Sequence, residues 1–382
     1  MKKVKVLHII KTLSLGGAET NLLNLVNAFD PEKVETHVAY SFGGEIEDRF
    51  RKAGVRLFKY AEQSYKIKSL QTVPIVFRIA AYIRKNKIDI VQTHNFNGHI
   101  WGLLAGKIAG ARVIEHVHDF RYTPSEELAR RHGLLDQYRF IKYFRKQSDK
   151  VIVLTRDNVQ YVVEKGLSRP ERVLELQNGI PFNGDPVTLE TRNFRMKYGI
   201  PSDAVVVLTS ARMDPTKNID LILRIAGRVV NRAPQTVFMI AGSGTHLEEY
   251  KAMSRKLNLE KDVRFVGFHP NMYDLLAVSD VFLLPSFLEL HSIAILEALK
   301  MKVPVVVSQG VGCNDEFIRH GENGYLCDPF KEEPWVDVLV PLVNNPDTRK
   351  NVGQRGYETC RSLFNIEDTA VRFEKVYAEL TV

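Results

Sequence analysis

Short apolar runs recur along the chain at intervals long enough to hold a helix. In the first half they read VKVLHII, THVAYSF, VRLFKY, DIVQTH, RVIEHVH and KVIVLT. In the second half they read AVVVLTSA, TVFMIAG, VRFVGF, VFLLPS and PVVVSQ. Strand-like runs alternating with helix-length segments predict parallel sheets flanked by helices, twice over. The expected fold class is therefore α/β, with two Rossmann-like, doubly wound parallel-sheet domains facing across a cleft at the carboxyl ends of both sheets, where such folds bind ligands. The halves repeat an architecture and not a sequence. Gly179, Pro181, Gly184 and Pro186 punctuate LQNGIPFNGDPVTLE, so the hinge is expected there. This divides the chain into 1–182 and 183–365. A last helical stretch, 366–382, remains; it is assigned to pack back on the first domain, although nothing local decides this.

A length of 382 residues suits two such domains. No apolar run approaches the roughly 20 residues that span a bilayer. The first run, Val4 to Ile10, is interrupted by Lys5 and His8, so it reads as a strand and not as a signal-peptide core. Cys313, Cys327 and Cys360 are odd in number and show no C-x-x-C spacing, which fits a reducing cytoplasm. The net charge of +8 is uneven: up to Phe182 there are 30 basic and 19 acidic residues, and thereafter 23 and 26. Arg121, Arg130, Arg131, Arg139, Lys142, Arg145 and Lys146 interleave with Tyr138, Phe140, Tyr143 and Phe144 between Arg121 and Lys150. Such a stretch suits an anionic lipid surface or nucleic acid, or is simply a solvated helix.

The candidate chemistry sits where strands end. After the first run, SLGGAE lets the backbone of Gly16 and Gly17 approach a ligand, and a helix from Ala18 to Phe29, with Leu22, Val26 and Phe29 on one face, would offer free amides to a phosphate. The pattern is neither G-x-G-x-x-G nor a nucleoside-triphosphate loop. A plain tight turn accounts for it equally well. In LTSARMDPTKNID, Arg212 and Lys217 stand at a strand end before a helix, where two cations oppose the helix dipole unless an anion joins them. In LPSFLELHSIAILEALK, Glu289 lies in a loop and Glu297 inside an apolar helical run. A charge in such a run must be paired or serve a ligand, and carboxylates suit sugar hydroxyls. His116 and His118 in IEHVHDF share one strand face, as H-x-H metal ligands would, but no companion ligand motif accompanies them and no metal is expected. His94 and His99 either line the same cleft or are polar residues at a strand end.

Taken together, GGAE, HDF, Arg212 with Lys217, AGSG and PSFLELHSIAILEA resemble the retaining glycosyltransferases of family 4, over nearly the whole chain. That resemblance implies the GT-B fold and transfer of a hexose-type sugar from a nucleoside diphosphate to a saccharide or lipid-linked acceptor in cell-envelope polysaccharide or glycolipid synthesis. It implies donor-diphosphate contacts from Arg212, Lys217, Gly16 and Gly17, and donor-sugar contacts from Glu289 and His118, the two residues assigned to catalysis. Glu297 would hold the ribose, and loop amides around Ser292 and Ile293 the phosphate. Gly242 and Ser243 in AGSG, and Val266 in VRFVGF, would line the nucleotide. Where the family has a small residue and then an aromatic, this chain has Leu290 and His291, with His291 assigned to donor binding. No cofactor, metal or nucleic-acid partner is implied, and the expected location is cytoplasmic, on the inner face of the plasma membrane. A sugar-nucleotide epimerase of the same architecture and a non-catalytic sugar-nucleotide-binding protein are the competing readings.

Overall fold

A computed structural model describes residues 3–61, 73–94, 96–118, 143, 145–184, 187 and 191–381. Contacts divide the chain into two units, Met1–Pro181 with Ile366–Val382, and Phe182–Asn365. In the first unit the described strands are β1 (Val4–Ile9), β2 (Val34–Tyr40), β3 (Arg56–Lys59), β4 (Ile90–Thr93), β5 (Arg112–His116), β6 (Lys150–Val153) and β7 (Val173–Glu175). They form one sheet in the order β3-β2-β1-β4-β5-β6-β7, and every recorded pairing is parallel. In the second unit β8 (Val205–Ser210), β9 (Thr236–Ala241), β10 (Val263–Gly267), β11 (Val281–Leu284), β12 (Val305–Ser308) and β13 (Tyr325–Cys327) form a parallel sheet ordered β10-β9-β8-β11-β12-β13.

Both orders reverse direction once, between β1 and β4 and between β8 and β11, and ligands of such sheets bind beyond the carboxyl ends at that switch. The apolar runs become strands because they are covered on both faces. In the first unit Leu7, Ile9, Val91 and Val113 pack against Ile79, Ile83, Ile100 and Leu103 from the helices Val73–Asn86 and Phe96–Ala109. On the opposite face Val6, Ile90, Ile114 and Ile152 meet Ile366, Ala370, Phe373 and Tyr377 of the C-terminal helix Ile366–Thr381. Ile366 donates its N–H to Ile180 at 3.1 Å, and a side chain on Gly179 would come within 2.8 Å of the Ile366 backbone, so the chain re-enters the first unit at a glycine.

Two strands have no counterpart among the predicted runs. β7 and β13 are three residues each and close one edge of their sheets, too short for a periodicity to register. In the second unit the helix Ile219–Val230 buries Ile219, Ile222, Leu223, Ala226 and Val229 on the sheet, each large side chain contributing about 1.5–3 kcal/mol.

Candidate active site

In the second unit the loop after β8 carries Arg212 and Lys217. Pro215–Lys217 forms a single 3-10 turn, and its start is capped by Asp214, whose carboxylate accepts from the Thr216 N–H at 3.0 Å. Asp214 also pairs with Arg212 at 3.1 Å, while most of the Arg212 side chain stays exposed. Burial pushes the Asp214 carboxyl upward, but the Thr216 hydroxyl, Arg212 and the Thr216 N–H outweigh it and hold the group below its ordinary value. The turn ends at Asn218, which adopts the left-handed conformation (φ 56°) and is buried. Its side-chain amide donates to the carbonyls of Pro285 and Pro329, both at 3.0 Å, tying together the loops that follow β8, β11 and β13.

The loop after β11 brings Glu289 to the same place. Lys217 Nζ donates to Glu289 Oε1 at 2.6 Å, with both side chains largely covered. This pairing links a residue assigned to the diphosphate with one assigned to the donor sugar. The Glu289 loop is held by its neighbour: the Cys313 N–H donates to the Leu290 carbonyl at 3.0 Å, and Gly312, at φ 60°, lies where a side chain would overlap that carbonyl. Ser292 stands at the position before the helix Ile293–Lys300 without a side-chain capping bond, and Glu297 is buried one turn inside the helix. The AGSG loop after β9 is equally constrained. Gly242 has φ 131° and leaves no room for a side chain beside the Ala211 carbonyl, and Met213 N–H donates to the Ser243 carbonyl at 2.9 Å. Gly242 in turn donates to the Gly267 carbonyl at 2.8 Å, which sets the strand end holding Val266 beside it.

His291 is the exception. Its ring is turned into the unit, against Phe364 at 4.7 Å and Phe317 at 6.0 Å between centroids, and burial lowers its pKa to about 3. The side chain assigned to donor binding is therefore a buried, neutral packing element. The aromatic neighbours come from distant segments, so no local signal marked it.

In the first unit the turn at Gly16 and Gly17 starts the helix Gly17–Ala28 directly after β1. Leu13 donates to Phe42, and Ile46 to Leu13, so the loop after β2 braces the turn. At Gly16 a side chain would come within 2.5 Å of the Glu19 carboxylate. That carboxylate lies at the helix start where a phosphate was expected. Burial raises the Glu19 pKa to about 6, against its own backbone N–H, which lowers it.

Beyond the switch between β1 and β4, the register aligns His8 with Gln92 and Gln92 with Ile114. By alternation His8, Gln92, His94, His116 and His118 then share one sheet face. His8 Nδ1 lies 2.9 Å from His94 Nε2, and His94 Nδ1 lies 3.0 Å from His118 Nε2. Tyr377 donates its hydroxyl to Gln92 Oε1 at 2.6 Å, and the Gln92 amide donates to His116 Nδ1 at 3.2 Å. Burial lowers the pKa of His8 to about 3, with His37 adding to it, and holds His94 and His116 well below the ordinary value. One nitrogen each from His94, His116 and His118 lies within 4.8 Å of the others, a spacing an ion would tolerate. In the sequence His8 reads as an interruption in an apolar run. Its only local signal was a polar residue at a position that alternation buries.

His99 does not line this cluster. It is buried in the helix Phe96–Ala109, bonded to Thr93 at 3.0 Å and 3.7 Å from Glu115. Glu115 itself takes two hydrogen bonds from Arg145, at 2.6 and 2.7 Å, in a buried pair. Arg145 was grouped with the basic aromatic stretch offered to lipid; instead it neutralises a core carboxylate. Tyr143 of that stretch is exposed, and Arg121, Arg130, Arg131, Tyr138, Arg139, Phe140, Lys142 and Phe144 lie outside the described residues, as does Asp119.

The family profile "Glycosyltransferase Family 4" matches residues 15–183, and "Glycosyl transferases group 1" matches residues 190–359. An Escherichia coli UDP-Gal:alpha-D-GlcNAc-diphosphoundecaprenol alpha-1,3-galactosyltransferase is 23% identical, covering 100% of this chain and 98% of its own. The Bacillus anthracis N-acetyl-alpha-D-glucosaminyl L-malate synthase is 24% identical over 79% of this chain and 78% of its own. Among solved structures, Anabaena HepE in complex with UDP and glucose has a TM-score of 0.84 at 18% identity, covering 98% of this chain and 99% of its own. WaaG, a glycosyltransferase involved in lipopolysaccharide biosynthesis, has a TM-score of 0.75 at 16% identity, covering 97% and 99%. One profile falls on each half of the chain, relatives align along nearly its full length, and both parallel sheets have the expected topology: the chain belongs to the family 4 glycosyltransferases and has their GT-B fold.

Proposed function

We propose that this glycosyltransferase moves a hexose from a uridine diphosphate donor to a hydroxyl of a saccharide or lipid-linked acceptor, with retention at the anomeric carbon and without a metal, in the assembly of an envelope glycan. The observation that carries the reading is the Lys217–Glu289 pair at 2.6 Å, beyond the switch of the second sheet and beside the start of the helix Ile293–Lys300. A cation, helix amides and a carboxylate at one strand end provide for a diphosphate and for the hydroxyls of the sugar attached to it. Support for the uridine donor and the lipid-linked acceptor comes from the names of the relatives.

In the proposed reaction the bond from the anomeric carbon to the diphosphate breaks and the acceptor oxygen bonds to the same face. The acceptor proton passes to the departing phosphate. Lys217 and Arg212, with the amides around Ser292 and Ile293, stabilise the charge that develops on the leaving group. Glu289 orients the sugar and does not attack it, so the route differs from the carboxylate nucleophile of retaining glycosidases. Gly16 and Gly17 contribute backbone to the diphosphate, Gly242, Ser243 and Val266 to the nucleotide, Glu297 to the ribose, and His118 to the hexose. Acceptor binding is assigned to the first unit. Its basic surplus supports peripheral attachment to anionic membrane on the cytoplasmic side; among the described residues no helix is long and apolar enough to cross a bilayer.

The test is to incubate the protein with UDP-sugars and a panel of saccharide and lipid-linked acceptors, without added metal and with chelator, and to read nucleotide release and the anomeric configuration of the product. An α-linked product from an α-linked donor is expected. Inversion, or interconversion of the sugar nucleotide without acceptor, would overturn the reading. Sedimentation with neutral and acidic vesicles tests the membrane: equal binding to both would remove it.

A further inference from the structure

We propose that the first unit carries a second anion site, suited to a phosphate monoester, on the rim of its sheet opposite the switch point. A cavity of about 410 Å³ opens there, lined by Lys146, Gln147, Gly166, Ser168, Arg169 and Arg172. Lys146 and Gln147 precede β6 and the other four precede β7, so the cavity lies at the amino ends of these strands. The histidine cluster and the Gly16–Gly17 turn lie at carboxyl ends, away from it.

The local chain sets two guanidinium groups side by side. Arg169 precedes the 3-10 turn Pro170–Arg172, and the Arg172 N–H donates to the Arg169 carbonyl at 3.0 Å. In such a turn side chains three residues apart eclipse each other. Arg172 is fixed further. Its Nη1 donates to the carbonyls of Lys146 at 3.3 Å and Ser148 at 3.1 Å, which fastens the segment before β6 to the one before β7.

Every polar side chain of the lining can donate a hydrogen bond, and none is a carboxylate. Among the described residues Lys146, Arg169 and Arg172 form no ion pair with a carboxylate. The carboxylate nearest in sequence to Lys146, Asp149, is spent on Lys107 and Arg112, at 3.2 and 3.3 Å. Ser168, 6% exposed, adds a hydroxyl with no hydrogen-bond partner among the described residues, and a buried donor of this kind calls for an acceptor. Charge-assisted bonds to phosphate are strong, and arginine presents its N–H groups as a planar fork. Three positive charges match a dianionic monoester better than a diester, which carries one charge. The volume falls within the range of small-molecule sites, roughly 300–1,000 Å³, so it admits the ester and not the phosphate alone. That phosphate belongs to a soluble ester or to a lipid headgroup; the chemistry is shared, and the experiment separates the sources.

The test is calorimetric titration of glycerol 3-phosphate and of inorganic phosphate, at about pH 8 where both are largely dianionic. The full chain is used with Arg212→Ala/Lys217→Ala as background, so that the cations of the second unit do not contribute. Glycerol 3-phosphate should bind at one site per chain with a Kd below about 1 mM. Arg169→Ala, at an exposed side chain, should weaken it ~10-fold or more, and Arg172→Ala at least as much. Arg169→Ala/Lys146→Ala replaces Arg172→Ala if the latter does not fold. Co-sedimentation with phosphatidylcholine vesicles, alone or containing phosphatidic acid or phosphatidylglycerol, separates the sources. A preference for phosphatidic acid that is lost in Arg169→Ala/Lys146→Ala makes the ligand a lipid headgroup. Binding of glycerol 3-phosphate without that preference makes it a soluble ester. Equal affinity with and without Arg169→Ala/Lys146→Ala, or no saturable binding of any probe, overturns the proposal. So does equal binding to phosphatidic acid and phosphatidylglycerol with neither soluble probe bound, which is unspecific attraction. No donor or acceptor takes part, so a chain that binds these probes but transfers no sugar refutes the proposed function and leaves this site standing.

Discussion

The two sheets share a topology, but the side chains beyond their switch points are opposite in kind. After β8 and β11 the second unit sets out charges: Arg212 with Asp214, and Lys217 with Glu289. At the ends of β1, β4 and β5 the first unit sets out His8, His94 and His116, buried, with burial holding each imidazole well below its ordinary pKa. The difference teaches what each switch point is suited to hold. An ion pair with an exposed partner, such as Arg212–Asp214, can exchange it for an anionic ligand with little desolvation cost, whereas a buried neutral network suits uncharged polar groups.

Four experiments break or sharpen this contrast. The first unit does contain a deep charge pair, Glu115–Arg145, which serves stability and lies outside the histidine cluster. Arg145→Met should destabilise the protein by about 3–5 kcal/mol, because it leaves a buried carboxylate unpaired. Chemical denaturation checks this, and a loss under about 1 kcal/mol would mean that the pair is solvated.

Lys217→Ala should lower kcat by roughly 10²- to 10³-fold through lost leaving-group stabilisation, while its melting temperature falls only slightly. Steady-state nucleotide release measures it. Acid distinguishes the two units. For His8, whose folded pKa is about 3 against an ordinary 6.5, the unfolded chain binds more protons between these values, so stability falls as pH falls through that window. His94 and His116 act with the same sign in the first unit, and His291 in the second. For His8 and His291 the loss is roughly 1 kcal/mol per pH unit between about 6.5 and about 3. Glu19 acts oppositely, since its raised pKa of about 6 makes its burial cheaper in acid. Hydrogen exchange at pH 7 and pH 5 should show greater loss of protection in β1, β4 and β5 than in β8 and β11; equal loss in both sheets would erase the contrast. The smallest effect is expected for Glu297→Gln, about tenfold weaker nucleotide binding with kcat nearly unchanged, through weakening of one charged hydrogen bond. Calorimetric titration decides it.

The fold and much of the charged site were legible because they are encoded locally. Strand runs of Val, Ile and Leu, glycines beside strand ends, and a glutamate within IAILEALK declare themselves without knowledge of neighbours. The rest required register and packing. His8 joins His94 only because β1 pairs with β4, and Arg145 finds Glu115 across 30 positions of chain. Whether His291 turns toward ligand or core depends on Phe317 and Phe364, which arrive from later segments. Asn218 is a left-handed residue whose amide bridges two loops, a bond that depends on carbonyls far away in the chain.

The central claim is that the second unit's charged switch point holds a nucleoside diphosphate. Calorimetric titration of UDP, with GDP and ADP as comparators, into the wild type and an Arg212→Ala/Lys217→Ala double variant tests it most directly. The account predicts saturable binding of UDP at one site per chain, weakened at least ~100-fold in a double variant that still melts cooperatively, as expected for two lost charge-assisted contacts. Equal affinity in the two proteins would contradict it.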